Sequence, residues 1–139
     1  MQNALTIAGY IVNRCMKSGT PISNMQLQKL LYFVQAAFLK KMSRPCFSDN
    51  IEAWQFGPAV PAVYYHFCGF GAMPIWSCQK VNPVSYSEII NRVVDEKKQM
   101  HPWDLTAQLK YKGSPWDLIY QNGKGSHRVI PLVLIRSAK

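Results

Sequence analysis

The sequence predicts an α+β domain, mainly α-helical, with one short β-strand or hairpin element after the second helix. Three observations predict it. Most of the chain carries apolar residues at helical spacing, punctuated by Ser, Gly and Pro where helices start and stop. Only residues 51–56 break that pattern, with a run of aromatic and branched residues that suits a strand. The composition, 48% hydrophobic and 17% charged over 139 residues, is that of one globular domain spanning 1–139.

The elements follow in order. Leu5, Ala8, Val12, Cys15 and Met16 fall on one helical face, and Gly19-Thr20-Pro21 stops that helix. Ser23-Asn24-Met25-Gln26 reads as a capping box, in which the Ser side chain accepts a backbone N–H and the Gln reaches back. Behind it Leu27, Leu30, Leu31, Val34, Phe38 and Leu39 form a broad apolar stripe ending near Lys40-Lys41-Met42, which marks the central helix of the core. The strand over 51–56 is expected to be closed by a turn at Gly57-Pro58, since Gly accepts unusual φ and Pro cannot donate to a ladder.

Pro61 suits the first position of a helix through Phe67, ended by Gly69 and Gly71. Residues 73–83 have no clear period and fit a loop or an edge strand equally well. Ser85 and Glu88 read as a second capping box, with Ile89, Ile90, Val93 and Val94 behind it. Asp104 can open a short helix towards Leu109. Ser114-Pro115-Trp116 is a helix start that Asn122-Gly123 ends, and Ile130-Pro131 begins a last helix carrying Leu132, Leu134 and Ile135.

Charge and chemistry narrow the function. Sixteen Lys and Arg stand against seven Asp and Glu, a formal +9. Residues 97–139 hold eight basic residues against Asp104 and Asp117, net +6, so the excess is concentrated in the last third. Such a charge suits an acidic protein partner or nucleic acid. No turn-helix pair with a basic recognition helix and no aromatic RNA-binding pattern supports the latter, which stands as the alternative. Gly123-Lys124-Gly125-Ser126 has the residue types of a phosphate loop without its spacing, and reads as a surface turn. His66, His101 and His127 belong to no nucleophile or base signature, so no catalytic residue is assigned and the chain is expected not to be an enzyme.

Cys15, Cys46, Cys68 and Cys78 are widely spaced with no CxxC. Cys68, Cys78 and His66 lack the paired spacing of a zinc finger, so no metal or other cofactor is expected. The N-terminus has no basic segment before an apolar core, and no apolar run approaches the ~20 residues of a membrane span. Reduced, mostly buried thiols in a cytoplasmic protein are the expectation.

One set of local sequences is distinctive. Leu27-Gln28-Lys29-Leu30-Leu31-Tyr32 is followed by Arg44-Pro45-Cys46-Phe47, then by Glu52-Ala53-Trp54, Gly57-Pro58, Val60-Pro61 and, much later, Pro115-Trp116 and Ile130. This order resembles the Panacea domain, a family of SocA-like or GepA-like phage-associated proteins that act as antitoxins in toxin–antitoxin pairs. The Glu52 to Pro61 run is its specific part. The resemblance implies a single domain that neutralises a protein toxin encoded by the adjacent gene through direct binding, with no membrane association. Family members often carry Thr-His shortly before the Pro-Trp pair, whereas this chain has Lys110-Tyr111, so no role for that histidine carries over.

The matched residues Gln28, Lys29, Leu30, Tyr32, Glu52, Trp54, Gly57, Pro58, Pro61, Pro115 and Trp116 are expected to be scaffold. Trp54 and Trp116 each offer a large apolar body with one N–H that needs a partner. Lys29 lies mid-helix among apolar residues and is expected either to run its stem to a solvated edge or to pair with Glu52. Tyr64, Tyr65, Tyr111 and Lys112, beside the motif segments, are the candidate partner-binding residues, since exposed aromatics and cations dominate interface energy.

Overall fold

Local capping residues set most of the helix boundaries in the computed structural model, which describes residues 2–138. The Asn3 side chain accepts from Thr6 N–H at 2.8 Å and opens α1 (Ala4–Lys17). Ser23 and Gln26 form the expected capping box and open α2 (Asn24–Met42), which ends at Ser43 in the left-handed region. Every residue of the expected α2 stripe is buried, from Leu27 to Leu39. Helix α2 is the axis of the fold. It packs against α1, the hairpin and four of the remaining helices.

The strand is shorter than expected, and it has a partner in sequence. Glu52–Trp54 forms β1 and Gly57–Ala59 forms β2, antiparallel, with Ala53 opposite Pro58 and Trp54 opposite Gly57. Gly57-Pro58 therefore lies in the second strand, and the chain turns at Gln55-Phe56 instead. Gly57 has φ +129, which a side chain rarely tolerates, and this frees the chain to re-enter the ladder at once. Pro58 fits because Ala53 directs both backbone groups the other way. Ala53 N–H donates to Arg128 O at 2.8 Å and its carbonyl accepts from His127 N–H at 2.7 Å. No ladder hydrogen bond is asked of Pro58 on that side. Residues 127–130 thus run along the far side of β1, with Ile130 N–H on Ile51 O at 2.8 Å.

Helix α3 (Pro61–Phe67) has Pro at its first position and passes into a 3-10 turn at Cys68–Phe70, closed by Gly71 at φ +58. Residues 73–83 are irregular rather than an edge strand. They are pinned by Ile75 N–H on Ile22 O and by Asn13, whose side chain makes both backbone hydrogen bonds to Gln79 at 2.8 Å.

Helix α4 (Ser87–Lys97) lacks the expected Ser85–Glu88 capping box. Tyr86 holds the cap position at φ +55, and Ser85 N–H is taken by Gln2 Oε1 at 2.9 Å, a long-range competitor that a local pattern does not reveal. Helix α5 (Pro102–Leu109) starts two residues before Asp104, because the His101 imidazole accepts from Trp103 N–H. Helix α6 (Pro115–Tyr120) opens as expected, with Ser114 accepting from Asp117 N–H. It closes at Gln121, and both Gln121 and Asn122 adopt positive φ before Gly123. Helix α7 (Leu132–Ser137) follows Pro131.

Two thiols depart from expectation. Cys15 and Cys46 are buried, but Cys68 and Cys78 are exposed on irregular segments. Among the described residues no helix is long and apolar enough to cross a membrane.

Candidate functional site

Three amide side chains on α2 hold the surrounding segments in place. Gln28, 1% exposed, accepts from Val60 N–H at 2.8 Å and donates to Asn24 Oδ1 at 3.0 Å. Asn24 in turn donates to Tyr64 O at 3.0 Å, so the entry and first turn of α3 hang from one face of α2. Two turns on, Gln35 accepts from Cys46 N–H at 2.7 Å and donates to Phe47 O at 3.0 Å, tying down the Pro45-Cys46-Phe47 segment. Buried amides persist only where each group is matched, and these are. Gln35 and Asn24 were not foreseen as such anchors. The available signal is their spacing with Gln28, which puts three polar residues inside an apolar helix face.

The hairpin carries the aromatic centre. Trp54 lies almost fully buried, and its indole N–H donates to Glu52 Oε1 at 2.8 Å. His127, held at φ +68, stacks on the Trp54 ring at 4.6 Å with planes 10° apart. Tyr64 and Phe56 meet Trp54 edge-on at 5.1 and 5.6 Å and stack on each other at 5.5 Å. Tyr65, 60% exposed, leans over Trp54 at 5.9 Å. Rings at these separations reinforce one another beyond simple burial.

Trp116 joins α6 to this centre by donating its indole N–H to Trp54 O at 2.7 Å, and it stacks on Tyr120 at 4.7 Å. The Lys110 ammonium sits 4.7 Å above Trp116 and donates to Gln55 O at 3.1 Å. The expected Lys29–Glu52 pair does not form. Glu52 faces the Trp54 indole, while Lys29 Nζ lies 5.9 Å from the Phe56 ring centre. Burial, and after it the charge of Lys110, hold Lys29 below its ordinary pKa of 10.5.

Of the scaffold residues, Leu30 and Tyr32 are buried in the core, and burial pushes the Tyr32 phenol far up in pKa with Tyr111 adding to it. Pro61 and Pro115 open their helices. The four candidate contact residues divide into two places. Tyr64 and Tyr65 belong to the Trp54 cluster. Tyr111 and Lys112 instead line an open groove of about 460 Å³ with Pro115, Leu118 and Leu134.

The segments around Gln28, Trp54, Tyr64 and Trp116 therefore meet around one hairpin, and the comparisons with known proteins cover the same region. The family described as Antitoxin SocA-like, Panacea domain, matches residues 27–117. Antitoxin SocA of Caulobacter vibrioides (strain NA1000 / CB15N) is 34% identical over 139 residues, covering 90% of this chain and 73% of that protein. The chain belongs to the SocA-like Panacea domain family of antitoxins. No solved structure matches it.

The Panacea match runs from the first buried leucine of α2 to Asp117 in α6, and so takes in the hairpin, α3 and both tryptophans. His127, which completes the stack on Trp54, lies beyond it. The three histidines of this Panacea chain occupy different settings: His66 is exposed on α3, His101 caps α5, and His127 stacks on Trp54. Among the described residues no three His, Cys, Asp or Glu side chains gather in a way that could hold a metal ion.

Proposed function

We propose that this chain neutralises a protein toxin encoded by the adjacent gene through direct, stoichiometric binding, as a cytoplasmic, non-enzymatic protein of phage or mobile-element origin. The observation that carries this reading is the division of labour around the hairpin. The motif amides and tryptophans turn inward and hold the backbone, while Tyr65 stays exposed and Phe56 and Lys110 half-exposed at its rim. A binding protein needs such a rigid scaffold and an aromatic, cationic face, and needs no nucleophile. The proposed contact residues are Tyr64 and Tyr65, with Tyr111 and Lys112 extending the face towards α6. The +9 charge would speed encounter with an acidic partner and make association sensitive to salt.

The same charge favours nucleic acid as the second reading. Co-expression with the neighbouring gene product, followed by size-exclusion chromatography, tests the first. Rescue of growth with co-elution of the two proteins is the expected result. A neighbour that is harmless alone, or a pair that never co-elutes, refutes it. Steeply salt-dependent binding to random duplex DNA would then favour the second reading.

A further inference from the structure

Lys29 is 5% exposed on the central helix, and among the described residues its ammonium meets no carboxylate and no hydrogen-bond acceptor. No fully enclosed side-chain nitrogen or oxygen of those residues lacks a partner, so the tip of Lys29 reaches the surface while its stem does not. It surfaces beside a second cation. Lys29 Nζ lies over Phe56, and Lys110 Nζ is bound to the carbonyl of the preceding residue, Gln55. The carboxylates on the neighbouring segments turn elsewhere: Glu52 Oε1 accepts from the Trp54 indole and Asp117 Oδ2 from Gly113 N–H, and neither pairs with a lysine.

Two ammonium groups beside one turn, neither paired with a carboxylate among the described residues, are unfavourable in the isolated protein. They repel each other, and one of them rises on a buried stem that costs it part of its hydration. The lowered pKa of Lys29 reflects both effects. Such an arrangement is relieved by an anion supplied from outside, held by charge-assisted hydrogen bonds.

We propose that Lys29 and Lys110 together receive one carboxylate of the protein partner, an Asp or Glu side chain laid across the Gln55-Phe56 turn beside the rings of Phe56, Tyr64 and Tyr65. The inference rests on the proposed toxin binding and names the chemistry that the toxin presents. A nucleic-acid backbone is a weaker fit. It is met by several exposed cations along its length, whereas here there are two, one of them on a buried stem beside Phe56.

The test is isothermal titration of the chain with the neighbouring gene product, using wild type, Lys29→Met and Lys110→Met. Methionine keeps the apolar stem and removes the charge. The expected result is a urea midpoint for Lys29→Met no lower than wild type, and binding weakened at least tenfold in each variant. Wild-type binding that both variants match overturns this inference and leaves the toxin-binding reading standing. Failure of the wild type to bind overturns both. Binding of random duplex DNA that is lost in Lys29→Met, with protein binding intact, also overturns it. If a variant does not fold, the wild-type protein decides by NMR titration of the lysine ε-carbons. The Lys29 midpoint should rise in the complex, and a midpoint that stays put refutes the proposal.

Discussion

The indole N–H of Trp116 donates to the backbone carbonyl of Trp54 at 2.7 Å and joins positions 62 residues apart. This bond is the direct link between α6 and the hairpin. Trp116→Phe keeps an aromatic ring and removes the donor that ties α6 to the hairpin. The expected loss is about 1–3 kcal/mol of stability, read from urea denaturation followed by circular dichroism. A loss within error of zero would mean that another donor takes over.

Gln35→Leu tests the amide anchors. It strands the N–H of Cys46 and the carbonyl of Phe47 in a buried setting at once. We expect a loss of about 2–4 kcal/mol, larger than for a typical single hydrogen bond, because two backbone groups go unpaired. Gln35→Glu, which keeps the acceptor for Cys46, should recover part of it near its own pKa but not at neutral pH, where a buried carboxylate is costly. Thermal melts at two pH values check this.

Two glycines should fail for different reasons. An added Cβ at Gly57 meets nothing nearer than Lys110 Cδ at 4.0 Å, so Gly57→Ala carries only the backbone strain of φ +129. Its expected cost is about 1–3 kcal/mol in an otherwise native protein. At Gly125 the same atom would stand 1.7 Å from Ile119 O, so Gly125→Ala must displace backbone. Soluble yield and amide spectra separate the two: Gly57→Ala native-like, Gly125→Ala shifted throughout residues 127–130 or unfolded.

The thiols should react in two classes. Cys68 and Cys78 are exposed and should be titrated quickly by a disulfide reagent, whereas Cys15 and Cys46 should react only in denaturant. Burial raises Cys15 to about 11 and Cys46 to about 12, from an ordinary 9.0. The folded pKa lies above the unfolded one, so this stability is complete below pH 9 and is lost as the pH rises through those values. Lys29 acts in the opposite sense. Its folded pKa is depressed below 10.5, so the unfolded chain binds more protons in that window and stability rises with pH there. Lys29→Met should therefore show a steeper alkaline decline than wild type, measured as urea midpoints between pH 8 and 11.

Elements whose boundaries depend on neighbours in sequence were legible before the structure. The Ser23–Gln26 box, Pro61 and Ser114-Pro115 each act within one helical turn, and α2, α3 and α6 begin where they indicate. Some misreadings involve distant competitors. Ser85 was drawn off by Gln2, whereas Glu52 turned to Trp54 only two residues away and left the solvated-edge alternative for Lys29. Pro58 could enter a strand because Ala53 bonds to residues 127 and 128. Around the candidate site, Tyr64 and Tyr65 lie beside the motif in sequence and pack on its Trp54. Lys110 and His127 were not, since nothing in the intervening sequence indicates that they return to Gln55 and Trp54.

Because β1 lies between β2 and residues 127–130, the hairpin emerges from the ribosome long before its second flank exists. Until then the N–H of Ala53 and the carbonyl of Ile51 have no partner on that side, and Trp54 lacks the ring of His127 over it. Completion of the face thus waits for residues 127–130. The same dependence makes the exposed turn at residues 121–124 a vulnerable point. One proteolytic cut there would untether the flank from α6.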